Sequence, residues 1–375
     1  MLPVLRGSPD VTNGEDSPPT AQARRPGQAG RTRPAAGRRT VLWAALALTT
    51  ALLVLALLSL LVGTGDAPAG RALAYLLGVP GARADAQLQL AVGDVRMPRT
   101  FAALVVGAGL GTAGALLQAV TRNPLAETGL LGVNAGAAAG VVTGLTWAGV
   151  TSAYGMLGWA LAGGLAASAV VLLIAASGRA AGSPLRLVLA GSALGATFHG
   201  ATAYVLLGSR STFDEYRYWT IGSLAGVDAS AVRAMAPVVG VGLLCALLTA
   251  RPVSALALGD DAARALGHHP GRVRLAAVGA VTLLTGAAVA LAGPIAFLGL
   301  LAPYAARALA GPRIVAQLLL SALVAADVTL AADVLARVVM RPWETPVSVL
   351  LALLGGPLLI WIARTDRGTL TGGAA

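Results

Sequence analysis

Residues 231 to 293 read AVRAMAPVVGVGLLCALLTARPVSALALGDDAARALGHHPGRVRLAAVGAVTLLTGAAVALAG, and this stretch decides the fold. Two apolar runs of about 20 residues, the length that spans hydrocarbon, flank one polar island from Arg251 to Arg274. The island is far too charged to lie in a bilayer, so the chain leaves the membrane here and re-enters it. A short charged connection between two spans is a candidate docking platform for another protein.

The rest of the chain repeats the apolar pattern. Of 375 residues, 56% are hydrophobic and only 11% charged, which specifies an all-α polytopic membrane protein. Spans are expected at about 41 to 62, 99 to 120, 128 to 147, 153 to 176, 186 to 207, 231 to 250, 273 to 293, 296 to 310, 314 to 338 and 345 to 363. That gives ten transmembrane helices, with the pieces around Gly132 and Pro294 expected to be short or broken. Gly107, Gly111 and Gly114 put small residues on one side of the second span, where a neighbouring helix can approach closely.

Residues 1 to 40 are rich in Pro, Gly, Ser and Arg and read as a disordered cytosolic tail, because they cannot bury enough apolar surface to offset ordering. The membrane domain then runs from 41 to 367, with a cytosolic segment at 253 to 274, and residues 368 to 375 form a C-terminal tail. The small residues Gly65, Ala67 and Ala69 after the first span loosely resemble a signal-peptidase site, but the span is long and favours an uncleaved anchor. Ten spans put both termini on one side. With that side cytoplasmic, 18 of the 27 arginines are cytosolic, as the positive-inside rule requires, although seven of them lie in the tail.

Composition also excludes function classes. The net charge of +11 lies largely in the tail and short loops, so nucleic acid is not an expected partner; anionic membrane lipid is. Every basic residue is Arg, so no Lys completes a G-x-x-x-x-G-K-S/T phosphate loop, and a nucleotide motor has to reside on another chain. The single Cys245 cannot form an intrachain disulfide and reads as packing. No HExxH, GxSxG or cluster of His, Cys and acids occurs, so catalytic residues, metal ligands and cofactors are not expected. His268 and His269 are adjacent rather than one turn apart, and His199 reads as a hydrogen-bonded core residue.

Two constellations remain. Arg96 and Arg99 sit around a proline at a membrane entrance and read as two positive charges facing outward, there to anchor a span or to meet acidic groups of an external protein. On the island, Asp260, Asp261 and Arg264 share a short amphipathic helix with Ala262, Ala265 and Leu266, which Gly267 and Pro270 end. Asp327 and Asp333, inside one span, leave open a proton-coupled secondary transporter, although Asp333 and Arg337 stand i, i+4 and can neutralise one another.

The ordered motifs RMPRT (96–100), NPLAETGLLGVNAGA (123–137), LALGDDAARALG (256–267), GPIAFLGLLAP (293–303), ADVLAR (332–337) and ETPV (344–347) closely resemble the FecCD family of ABC importer permeases, over roughly residues 41 to 367. The resemblance implies a type II importer fold of ten helices and a dimer formed with an identical or related second permease subunit. It also implies two cytosolic ABC ATPase subunits, an extracytoplasmic substrate-binding protein, and a location in a bacterial cell membrane. It further implies that Arg96, Arg99 and Arg337 receive acidic residues of the binding protein, and that Leu258, Gly259, Ala262, Ala265, Leu266 and Gly267 form the motif that fits the ATPase groove. Arg341 lies near the same mouth. Tyr304 stands where family members commonly carry His. The implied cargo is a ferric siderophore, with cobalamin or haem as alternatives.

Overall fold

A computed structural model describes residues 37–63, 67–177, 184–339 and 343–365. Arg341, the C-terminal tail and the first 36 residues of the N-terminal one lie outside the described residues. The described residues form helices, turns and loops with no strand. In chain order the helices are α1 (Arg38–Leu61), α2 (Ala69–Leu76), α3 (Pro80–Arg83), α4 (Ala86–Leu88), α5 (Met97–Thr121), α6 (Val133–Trp147), α7 (Ala153–Ala176) and α8 (Pro184–Gly208). They continue with α9 (Arg210–Thr220), α10 (Ala229–Ala257), α11 (Asp260–Ala265), α12 (Pro270–Ala292), α13 (Leu298–Ala310), α14 (Ile314–Val339) and α15 (Val347–Thr365).

Ten of these, α1, α5 to α8, α10 and α12 to α15, fall on the ten expected spans. Six are individually long and apolar enough to cross a bilayer, and α13 is a partial span: its 13 residues rise only about 20 Å. A non-helical segment, Gly293 to Phe297, precedes it, so the break expected around Pro294 is real. The break expected at Gly132 is real too, where a 3-10 turn (Thr128–Leu131) ends in a left-handed glycine before α6 starts. These two breaks meet: the Phe297 amide donates to Oε1 of Glu127 at 3.2 Å.

Three features escaped the span pattern. The short helices α2 to α4 and the amphipathic α9 are too polar or too short to register as spans. The second span is also longer than its apolar run, because a π-helical stretch (Gln89–Arg96) leads directly into α5.

α5 is the centre of the bundle and α1 its edge. In the most apolar 18-residue window of each helix, 78% of residues are buried for α5 and 0% for α1. Glycine makes that centre possible. A Cβ on Gly107 would lie 2.6 Å from the Ala326 Cα, one on Gly111 would strike the Ser321 carbonyl, and one on Gly114 would strike the Gly299 backbone. The seam of small residues expected in the second span is thus the contact of α5 with α14 and α13. With no hydrophobic drive between helices in lipid, such close backbone packing supplies much of the association energy.

Candidate functional site: two charged clusters joined by one helix

The first cluster lies where α5 begins and α14 ends. Arg99 Nε donates to Asp333 Oδ1 at 2.8 Å and its Nη1 to Glu344 Oε2 at 2.6 Å. Arg337 takes the other oxygen of Asp333, and its Nη1 donates to the carbonyls of Ser59 at 2.8 Å and Val62 at 3.2 Å. Arg96 Nη1 donates to the carbonyls of Leu60 at 3.2 Å and Leu61 at 3.0 Å. Ser59 and Thr100 hydroxyls, 2.7 Å apart, tie α1 to α5 between them.

The C-terminal carbonyls of α1, which have no intrahelical partner, are therefore capped by two arginines from other helices. Gly63 is what lets Arg96 approach, because a Cβ there would collide with the guanidinium. The π-helical stretch carries Arg96 at its last position.

Arg96, Arg99 and Arg337 are 3%, 4% and 1% exposed, so they are held within the protein rather than in solvent. Burial is tolerable because Asp333 bridges two of them and Glu344 adds a second carboxylate. A cleft of ≈ 270 Å³ opens onto this cluster, lined by Gly63, Val95, Arg96, Arg99, Arg337 and Glu344 among others.

The second cluster surrounds α11 at the opposite end of α5. Gly259 (φ 120°) enters the short helix and Gly267 (φ 80°) leaves it, both in conformations that a side chain disfavours. Leu258 and Leu266 bracket it and are 74% and 61% exposed. Ala265 is exposed and Ala262 half-buried, while Ala263 packs inward at 0% exposure. The helix thus offers an apolar rim with no partner on it.

Asp260 fastens this helix to the bundle. Its Oδ1 accepts from Arg274 Nη2 at 2.7 Å, on α12, and from Arg122 Nη2 at 3.1 Å, just beyond α5. Arg122 also donates to the Leu256 carbonyl at the end of α10. Arg122 is itself left-handed (φ 51°), which turns the chain sharply after α5 and aims its side chain at α11. Burial pushes the Asp260 carboxyl up, but the hydrogen bond from Arg274 and the charges of Arg274, Arg122 and Arg264 outweigh it and hold the group below the usual carboxylate value. Neither Arg122 nor Asp260 was singled out as an anchor in the sequence, because 138 residues separate them.

The remaining candidates resolve individually. Asp333 is engaged by two guanidinium groups, as its i, i+4 spacing to Arg337 suggested for one of them. Asp327 is buried on α14, and neither carboxylate oxygen has a hydrogen-bond partner among the described residues. His199 is exposed on α8, not a core residue, and Cys245 is half-buried. Tyr304 is half-buried on α13.

Comparison with known proteins agrees with this architecture. The FecCD transport family model matches residues 51–365. The chain is 41% identical over 313 residues to the ferric enterobactin transport system permease protein FepD of Escherichia coli, covering 84% of this chain and 92% of that protein. It is 38% identical over 330 residues to the vitamin B12 import system permease protein BtuC of Klebsiella pneumoniae, covering 86% and 93%. A metal-chelate-type ABC transporter solved in an inward-facing conformation superposes with a TM-score of 0.74 at 28% identity, over 86% of this chain and 98% of the other. A matched family model over most of the chain, ten helices in the expected order and the ordered motifs together place this protein in the FecCD transport family.

Proposed function

We propose that this chain is the membrane permease of an ATP-driven importer that carries ferric siderophores into a bacterial cytoplasm by alternating access. The observation that carries the proposal is the placement of two charged clusters at opposite ends of α5, one suited to an acidic partner and one presenting an apolar rim. The cargo follows from the ferric enterobactin permease relative; cobalamin is the second reading, supported by the vitamin B12 permease relative.

The arginine cleft faces the outside in this reading, and both termini are cytoplasmic. Its three guanidinium groups suit a carboxylate of a substrate-binding protein entering beside Arg96, Arg99 and Arg337. At the inner end, Leu258, Gly259, Ala262, Ala265, Leu266 and Gly267 form the contact for an ABC ATPase subunit, one per permease and two per transporter. His199, exposed on α8, is unsuited to lipid and suits a water-filled passage shared with a second permease.

Transmission between the ends runs through α5. When the ATPases close, they push α11; Asp260 passes the displacement to Arg274 on α12 and Arg122 at the end of α5. α5 spans about 37 Å and is packed closely on α14 along its glycine seam, so the two can move together as one rigid pair. Its far end carries Arg99, joined to α14 through Asp333.

The test is uptake in a bacterium stripped of its own importers and supplied with this permease, its ATPase and its binding protein. Accumulation of radiolabelled iron as ferric enterobactin, dependent on ATP, is expected. Cobalamin uptake without iron uptake would select the second reading, and uptake driven by a proton gradient without ATP would overturn both.

A further inference from the structure

A cavity of ≈ 450 Å³ opens beside α9, lined by Asp214, Glu215 and Trp219 of that helix, by Asp228 just before α10, and by the start of α7 and the end of α12. α11 lies between the end of α10 and the start of α12, so the other ends of those two helices, and the cavity with them, belong to the end of the bundle that holds the arginine cleft. We propose that this cavity receives a lysine or arginine side chain of the substrate-binding protein, while the arginine cleft takes an acidic one. The inference rests on the importer reading above.

Charge supports this occupant. Three carboxylates line the cavity and no cation does, in a chain whose net charge is +11. Glu215 is exposed and has no ion pair among the described residues. Asp214, also exposed, meets Arg217 of its own helix at 3.8 Å. Arg217 lies over the Tyr218 ring, 5.1 Å from its centroid, and Arg233 is exposed on α10; neither lines the cavity. Asp228 accepts hydrogen bonds from the Ala231 amide at 2.7 Å and the Ser230 hydroxyl at 2.8 Å, which hold its carboxyl below the usual value and keep it ionised.

The rest of the wall suits the remainder of a basic side chain. Met156, Leu157 and Leu291 offer apolar surface to a methylene stem whose charged head stays at the carboxylates. Trp219 adds an aromatic ring, and its indole N–H is buried with no acceptor among the described residues. A main-chain carbonyl entering with the side chain supplies an acceptor.

Position points to the same partner. The Ser348 amide donates to the Gly222 carbonyl at 3.4 Å and its hydroxyl to the Ile221 carbonyl, which ties the turn before the cavity to the start of α15. Four residues before Ser348 stands Glu344, which holds Arg99. Four residues reach at most about 15 Å, so cavity and cleft fit beneath one protein of ordinary interface size, about 800 Å² per partner. An acid and a base at fixed spacing on that partner set its orientation as well as its rate of encounter.

The test measures the affinity of the reconstituted transporter, the full permease with its ATPase, for the binding protein that supports its uptake of ferric enterobactin. Asp214→Asn with Glu215→Gln should weaken binding about tenfold, mostly through slower association, and flatten its dependence on salt. Ala225→Trp, at an exposed loop position on the cavity wall, should weaken it similarly by filling the space. Glu215→Lys should weaken it further. One Lys→Glu or Arg→Glu change on the binding protein should then restore affinity to within about threefold of wild type, a rescue that a merely structural role for Glu215 would not give.

Unchanged affinity in either cavity variant, or no compensating change among the exposed Lys and Arg of the binding protein, would overturn the proposal and leave the importer reading standing. A wild-type transporter that binds no such protein would overturn both. Loss of the permease dimer in Glu215→Lys, with affinity for the binding protein unchanged in the dimers that remain, would show that a second copy of the chain fills the cavity instead.

Discussion

Arg99 and Asp333 are 234 positions apart in the chain and 2.8 Å apart in the structure, and their contact joins the central helix α5 to α14 at one end of the bundle. Asp333 is 0% exposed and serves Arg337 through its other oxygen, so removing Arg99 leaves a buried carboxylate oxygen without its donor.

Arg99→Ala should therefore destabilise the folded permease by about 3 to 5 kcal/mol, the usual penalty for breaking a buried pair. Thermal unfolding in detergent measures it. Arg99→Lys should recover part of the loss, because a single ammonium can serve Asp333 or Glu344 but cannot reproduce the two-sided geometry.

Gly63→Val should separate docking from folding. The added side chain displaces the Arg96 guanidinium from the α1 carbonyls and narrows the cleft, while the bundle itself is untouched. Affinity of the reconstituted transporter for its binding protein should fall at least tenfold, with unfolding temperature within a few degrees of wild type. Unaltered affinity would remove Arg96 from the docking surface.

Leu258→Asp combined with Leu266→Asp should leave stability within about 0.5 kcal/mol of wild type, since both side chains are exposed. The ATPase should no longer copurify. Copurification with normal transport would place the ATPase contact elsewhere.

Arg122→Ala should uncouple rather than dissociate. The apolar rim of α11 remains, so the ATPase stays bound and hydrolyses ATP, but α5 no longer follows α11. Cargo moved per ATP should drop about tenfold or more, measured in proteoliposomes.

Acid should act on the same contact through Asp260. Its folded pKa is depressed from the ordinary 3.8, so its contribution is complete above that value and is lost as pH falls through the lower, folded value. The ratio of transport to hydrolysis, followed in wild type at decreasing pH, should hold through pH 4. Asp260→Asn should show the uncoupled ratio already at neutral pH.

The motifs that identified the family also marked both clusters, but not how they are built. ADVLAR gave the Asp333 and Arg337 pair because one helical turn separates them, and helical spacing is local. Arg99 and Glu344 each sat in a recognised motif, RMPRT and ETPV, yet their meeting could not be read from either. His199 was misplaced for a related reason: a polar residue in an apolar run looks internal until the neighbouring helices show which side stays open.

What the sequence determined was everything governed by length and period: an all-α membrane chain, ten helical segments, the breaks near Gly132 and Pro294, and the polar island at 251 to 274. These follow from the thickness of hydrocarbon and from the cost of burying charge, which act on each segment separately. What only the tertiary structure decided was that the arginines of the first cluster are buried against Asp333, Glu344 and the end of α1, that Gly107, Gly111 and Gly114 seat α14 and α13 on α5, and that Asp260 fastens α11 to α12 and to the turn after α5. Those depend on which helices become neighbours. Neighbours are chosen by close packing among many similar apolar surfaces, and one-dimensional hydropathy does not distinguish these.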